Sequence, residues 1–270
     1  MPTPVNKAKF NLKENLKDKF VAFIDVMGFS NLVFKGSVEN LDSYFSKITD
    51  ELASIRTDKA KIESFLISDS IILIAPEGLD GLKQLITAVR RIQSALIWRK
   101  ILLRGAISYG QVYYNAQNNI IVGKGFIRAY LLEQEAVYPR IIIDPSIIKK
   151  VADDKIGFLK LINGSLEYKF ENRLIYTESE FSKITEDGIF VDYANKTVKK
   201  DELNNNIKKI YETIVENLYT EQKLYSKYVW LRDYYIESLK LTDSLTKSET
   251  REMKVHKRDL ENWIKKFERL

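Results

Sequence analysis

The sequence predicts an α+β fold with a ferredoxin-like split βαβ core, a β-hairpin extension and C-terminal helices. Three observations predict it. Apolar runs and helical stripes alternate in the order β-α-β-β-α-β between residues 20 and 110. A second hairpin, a helix and a strand follow before residue 152. From about residue 201 the apolar spacing is helical almost to the end.

Residues 1–19 read as a polar lead-in, and the first strand runs from Phe20 to Gly28. Over 38–56 the apolar positions Leu41, Tyr44, Phe45, Ile48, Leu52 and Ile55 form one helical stripe. "IESFLIS" and "SIILIAP" are two apolar runs hinged at Ser-Asp-Ser, a hairpin with short polar residues at its turn. A second helix covers 79–99, with Leu82, Leu85, Ile86, Val89, Ile92, Leu96 and Ile97 on its apolar side. "ILLRGAISYG" is a strand that Gly110 is expected to end. "QVYYNAQNNIIVG" is a hairpin turning at Gln117-Asn118-Asn119, "GFIRAYLLEQEA" a short helix, and "PRIIID" a strand closed by Pro145. The core unit is placed at 20–152. A β-rich extension at 153–200 holds "LEYKF", "RLIYTE" and "GIFVDY", with turns at Asn163-Gly164 and Asp187-Gly188. The helical segment, 201–270, ends in a polar helix at about 247–269.

Composition removes several chemistries. The 270 residues contain no cysteine, so disulfides and thiolate metal sites are excluded and a reducing compartment fits. One histidine, His256, excludes a multi-histidine zinc site, and its polar helix is a poor setting for a Ser-His-Asp base. No stretch resembles a secretory leader or a membrane span, so a cytoplasmic location is expected. The net charge of +6 is spread over lysines that mostly sit beside acids, a mixed solvated surface rather than a nucleic-acid stripe. "GKG" at 123–125 lacks the spacing of a phosphate-binding P-loop.

One residue breaks the apolar pattern. Asp25 lies inside "FIDVMGFS", where an ionised carboxylate is costly unless paired. Asp69 sits at the Ser-Asp-Ser turn. In a split βαβ fold the first and third strands are neighbours, so the two aspartates are expected to face one another at one end of the sheet. Two such carboxylates repel unless a cation lies between them, and hard oxygens suit magnesium or manganese. A two-metal site can activate an attacking hydroxyl and neutralise a departing pyrophosphate, so the pattern points to nucleotidyl transfer. The bland alternatives are a hydrogen bond from the local turn for Asp25 and an ordinary polar turn for Asp69.

At these residues the chain resembles class III nucleotidyl cyclase catalytic domains. "FIDVMGFS" is similar to their first signature, "ISDSIILIA" to their second, "RGAISYGQVYY" to the strand and hairpin that follow, and "VGKGFIRAYLLEQEA" to their next helix. The likeness spans residues 20–145 and is strongest to the bacterial anti-phage pyrimidine cyclases of Pycsar systems, through "SDSI", "RGAI", "AYLLE", "PRIIID" and "KYVWL". The resemblance implies a homodimer with active sites at its interface and two Mn²⁺ or Mg²⁺ ions per site. It also implies conversion of a nucleoside triphosphate to a 3′,5′-cyclic monophosphate plus pyrophosphate, a second messenger in anti-phage defence. By this likeness Asp25, Asp69 and the Val26 carbonyl bind metal, and the loop Met27, Gly28, Phe29, Ser30 offers backbone N–H groups to phosphates, with Phe29 also packing.

The departures are informative. Purine cyclases usually carry an Asn and, four residues later, an Arg on the helix after the hairpin; Ile127 and Leu131 stand there in this chain. Arg104, Arg128 or Lys124 is expected to supply the positive charge instead. The purine-reading Lys and acid have no match around Glu63 to Phe65, which argues against ordinary ATP or GTP use and fits a different base pocket. The resemblance alone implies a pyrimidine, UTP ahead of CTP. Glu133 and Arg140 read as structural ion-pair partners, and "KYVWLRDYY" at 227–235 as core or dimer contact rather than a stacking platform. Two other functions remain open: a catalytically silent cyclase-like domain that signals by dimerising, and an RNA-recognition-like module. The latter needs exposed rings where "RGAISYGQV" has Ala and Ser.

Overall fold

The computed structural model describes residues 12–57, 62–164, 173–176, 188–194, 203–244 and 256–270. A short helix α1 (Leu12–Asn15) leads into β1 (Lys17–Val26), then α2 (Phe29–Lys35), α3 (Val38–Thr57), the hairpin β2 (Glu63–Ile67) and β3 (Ser70–Pro76), and α4 (Leu79–Ile97). Next come β4 (Leu103–Asn115), β5 (Ile120–Val122), α5 (Lys124–Glu135), β6 (Ile141–Ile143), α6 (Pro145–Val151) and α7 (Lys155–Asn163). The C-terminal helices are α8 (Leu203–Asn217), α9 (Gln222–Asp243) and α10 (Lys257–Glu268).

The sheet order is β2-β3-β1-β4-β5, with β6 parallel to β4. β1 pairs antiparallel with both β3 and β4, the ordering expected of a split βαβ core. Strand β1 is apolar almost throughout because both of its faces are covered. Phe20, Ala22, Ile24 and Val26 join the core beneath α3 and α4. Val21 and Phe23 pack with Ala129 and Phe126 of α5 on the other face. The sheet curls enough that Phe65 of β2 meets Tyr114 of β4, ring centroids 6.0 Å apart.

A second apolar core gathers α8, α9 and α10 with Phe190, Tyr193 and the Ile97–Leu102 corner. Within it Trp230 stacks on Tyr138 at 5.6 Å, and Tyr234 donates to Asp192, which also pairs with the buried Arg173. Most of "KYVWLRDYY" is therefore core: Tyr228, Trp230, Leu231, Tyr234 and Tyr235 are buried.

Several boundaries differ from the sequence expectation. β1 begins at Lys17, because Lys17 and Asp18 still pair with Val112 and Gln111, so the polar lead-in gives its last residues to the sheet. β4 does not stop at Gly110 but continues to Asn115. Gly110 marks a backbone crossing instead: a Cβ there would lie 3.0 Å from the Gly125 nitrogen of α5. Pro145 does more than close β6. Asp144 accepts from the Ser146 amide at 3.0 Å and Pro145 takes the first helical position, so Asp-Pro-Ser starts α6. Part of the supposed β-rich extension is helix α7, N-capped by Asp154 and ended at Gly164. "RLIYTE" and "GIFVDY" supply only single bridges, Ile175 to Val191 and Phe190 to Ile142, over their described residues. "LEYKF" and residues 245–255 of the last expected helix lie outside the described residues.

Candidate functional site

Register builds the site. Ile24 of β1 pairs with Ile71 of β3, so the next two rungs carry Asp25 toward Ser70 and Val26 toward Asp69 at the tip of the hairpin. The two-residue turn at Ser68-Asp69 has Ser68 in the left-handed region at φ 57°. On its other side Asp25 is directly opposite Arg104 of β4. That pairing sets the Arg104 Nε 3.3 Å from Asp25 Oδ2 and 2.7 Å from Glu133 Oε1 of α5. Glu133 reaches the cluster because α5 starts over Gly110 and runs back along β4 toward Arg104. As expected, Glu133 is an ion-pair partner, but its partner is a candidate site residue.

The electrostatics are uneven. Burial and the neighbouring Asp69 raise the Asp25 carboxyl above the usual aspartate range, although Arg104 pulls the other way. Burial raises Glu133 as well, against Arg104 and with the charges of Asp25 and Asp69 adding to it. Asp25 and Glu133 thus share one arginine, and the charge of Asp69 acts on both. The buried Tyr44 hydroxyl, which has no hydrogen-bond partner, is raised by burial and by the same two aspartates. Among the described residues no three acidic or histidine side chains converge on one point as a complete metal cage. The donor set nonetheless fits Mg²⁺ or Mn²⁺, which bind through one or two carboxylates and complete their shell with water and substrate phosphates. Excess negative charge on hard oxygen atoms is what such an ion would neutralise.

The loop after β1 turns at Gly28, φ 78°, the N-cap of α2. Met27 and Gly28 line a cavity of about 330 Å³ together with Asp25 and Arg104. The Met27 amide is engaged, donating to the Leu102 carbonyl at 2.9 Å. Phe29 packs on Tyr44 and Phe45 at 5.4 and 6.3 Å, and Ser30 is exposed.

Two expected site residues lie elsewhere in the chain. Arg128 is held by Asp144, 2.8 Å from Nε to Oδ2. Lys124 is exposed at the start of α5, whose next residue, Gly125, lies against Gly110. Gly110 is on the order of 20 Å along β4 from Arg104 at the usual strand rise. Ile127 and Leu131 are both about half exposed, at 50% and 51%. Arg140 sits over the rings of Tyr138 and Phe190 at 5.5 and 5.9 Å. Sequence reading missed Lys227, which faces the Asp25 cavity from α9. Its aromatic neighbours gave the only signal, by marking α9 as a helix with an inward face.

No protein-family model matches the chain, and no curated protein matches it. Solved structures with some likeness include the catalytic core of a rhodopsin-guanylyl cyclase with converted specificity in complex with ATPalphaS. It is 18% identical over 50% of this chain and 80% of that one, TM-score 0.42. Others are the guanylate cyclase domain of RhGC from Catenaria anguillulae in complex with GTP (16%; 64% and 93%; 0.43) and the guanylyl cyclase Cya2 (15%; 65% and 90%; 0.42). At such identities and scores the likenesses assign no function to this chain.

Proposed function

We propose that the chain is a nucleotidyl cyclase that converts a pyrimidine nucleoside triphosphate, UTP ahead of CTP, to its 3′,5′-cyclic monophosphate and pyrophosphate. One observation carries the reading: Asp25 and Asp69 meet at one end of the sheet, where negative charge exceeds the positive charge of Arg104. The motif likeness to class III cyclases supplies the reaction, and the likeness to Pycsar cyclases supplies the pyrimidine and a second-messenger role in anti-phage defence.

Asp25, Asp69 and the Val26 carbonyl would hold two Mn²⁺ or Mg²⁺ ions, which when bound lower the pKa of the ribose 3′-hydroxyl and offset phosphate charge. The chain's own residues do the rest. Arg104 keeps the Asp25 and Glu133 carboxylates in place and presents its guanidinium to the cavity, where charge builds on the leaving group. The 3′-oxygen forms a bond to the α-phosphorus and the bond to the β-phosphate oxygen breaks. Pyrophosphate leaves with the electron pair, and the hydroxyl proton passes to water in the open cavity. Arg128 and Lys124 are exposed on α5 and in a homodimer would be presented to the site of the second copy. Exposed Ile127, Tyr130 and Leu131 on that helix support a homodimer.

A silent, dimerising cyclase-like domain is the second reading, favoured by Ile127 and Leu131 at the Asn and Arg positions and by the engagement of Arg128 with Asp144. An RNA-recognition module has less support. The sheet face that would show stacking rings is covered by α5, with the Ser108 hydroxyl donating to the Gly125 carbonyl at 2.6 Å. The test is to incubate the protein with each of the four ribonucleoside triphosphates and Mn²⁺ and to look by mass for a cyclic monophosphate. A cyclic product from one pyrimidine, lost in Asp25→Ala and Asp69→Ala, is the expected result. No product from any of the four, with the protein folded and dimeric, would leave the silent reading.

A further inference from the structure

The cavity beside Asp25 is not closed by the sheet domain alone. Its floor is Asp25, Gly28 and Arg104, and its outer wall is Asn217 at the end of α8 and Lys227 on α9. The first and last of these residues are some two hundred positions apart, and the space between them is about 330 Å³, room for a polyphosphate chain. Lys100, Arg104 and Lys227 bring three cations to a lining with a single carboxylate, Asp25.

The three cations are not equivalent. Lys100 is held by Glu216, with both carboxylate oxygens within 2.7 Å. Arg104 is divided between Asp25 and Glu133. Lys227 has no ion pair among the described residues, although it is only partly exposed. Its helix holds it there, because Tyr228, Trp230 and Leu231 just after it are buried in the second core. Burial, with Arg104 and Lys223 nearby, makes its ammonium easier to deprotonate than a free lysine. A half-buried cation facing another cation across an open cavity is unfavourable unless an anion enters between them.

We propose that Lys227, with Arg104, forms a polyphosphate-binding subsite, so that the C-terminal helices complete the substrate site of the sheet domain. The proposal deepens the cyclase reading and rests on it for the identity of the substrate, a nucleoside triphosphate whose terminal phosphates would lie between Arg104 and Lys227. Lys227 is then a substrate-gripping residue from a part of the chain that lies beyond the cyclase-like stretch at 20–145. It also offers the positive charge that Ile127 and Leu131 cannot.

Inorganic tripolyphosphate is the probe, titrated calorimetrically into the full chain with no divalent metal present, so that binding does not depend on Asp25 and Asp69 holding an ion. Wild type is expected to bind. Lys227→Gln is expected to bind at least about tenfold more weakly and Lys227→Arg to recover most of the loss, with unchanged circular dichroism in both. Failure of wild type to bind tripolyphosphate, or equal binding by wild type and Lys227→Gln, would overturn the proposal. The cyclase assay separates the two claims. Lys227-dependent binding without cyclic product leaves the anion subsite standing and removes the cyclase reading. Cyclic product with the same KM in Lys227→Gln, together with equal tripolyphosphate binding, leaves the cyclase reading and removes the subsite.

Discussion

Two arginine–aspartate pairs in this chain are built from similar parts and behave in opposite ways. Arg128 and Asp144 meet at 2.8 Å, and Asp144 also caps α6 through the Ser146 amide. Burial works to raise Asp144, but these partners outweigh it and hold the carboxyl below the usual aspartate range. Arg104 and Asp25 meet at 3.3 Å, yet Arg104 is shared with Glu133, and burial together with Asp69 holds Asp25 above its usual range. The first pair is satisfied and has a structural task. In the second, two carboxylates divide one guanidinium with Asp69 close by, so an added cation at these acids changes the balance. A carboxyl perturbed by burial and a like charge beside a cavity is a candidate functional group, and one held by its own partners has a structural role to fill.

The sharpest way to break this contrast is activity. Asp25→Asn or Asp69→Asn is expected to lower the rate of cyclic nucleotide formation by roughly 10³-fold or more, read by mass spectrometry of the product. A loss smaller than tenfold in both would remove the two carboxylates from the chemistry.

A third arginine pair calibrates the scale of stability. Arg173 and Asp192 are both buried, and Tyr234 also binds Asp192. Arg173→Met leaves a buried charge unpaired and is expected to cost about 3–5 kcal/mol in denaturant unfolding. That result would show that the second core depends on this pair as the site does not.

The two aspartates should then move stability in opposite directions. Asp144→Asn is expected to destabilise by about 1–2 kcal/mol, since the ion pair goes while a cap remains. Because its folded pKa is depressed, the wild-type contribution of Asp144 is present above the unfolded value, near pH 4, and is lost as pH falls through the folded value. Asp25 has the reverse sign. Its folded pKa is raised, so its contribution is full below the unfolded value and is lost as pH rises through the folded one. Asp25→Asn is therefore expected to raise the neutral-pH melting temperature of the metal-free protein, with the gain fading on acidification. A fall in melting temperature at neutral pH would make Asp25–Arg104 a structural pair like the other.

Manganese should reverse that order. Saturating Mn²⁺ is expected to raise the wild-type melting temperature, each tenfold in concentration above Kd adding about 1.4 kcal/mol, and to leave Asp25→Asn unmoved. The smallest effect belongs to the loop. Gly28→Ala places a Cβ in open space but in the left-handed region, at a cost of about 1 kcal/mol.

How much of this could be read in advance depends on the range of the forces involved. The helix over 38–57 and the β2–β3 hairpin were legible because apolar spacing and turn residues act within a few positions. The meeting of Asp25 with Asp69 was legible one step further, since strand order alone makes β1 and β3 neighbours. Gly110 misled because a strand-ending glycine and a glycine under a crossing helix have the same letter, and only Gly125 tells them apart. Asp-Pro-Ser carried a complete helix-start signal, and reading Pro145 only as a stop missed it.

By itself the sequence determined the strands and main helices of the α+β core up to β6, the absence of thiol and multi-histidine chemistry, and an aspartate too costly to sit in a strand without a reason. Periodicity, composition and desolvation are properties of short stretches and act wherever the chain goes. Tertiary structure alone decided which arginine each acid received, that Glu133 joined the cluster, and that Arg128 was taken by Asp144. It also brought Lys227 to the Asp25 cavity across two hundred residues. Those outcomes rest on distances of a few ångströms between distant positions, where Coulomb energies are steep and local sequence has no say.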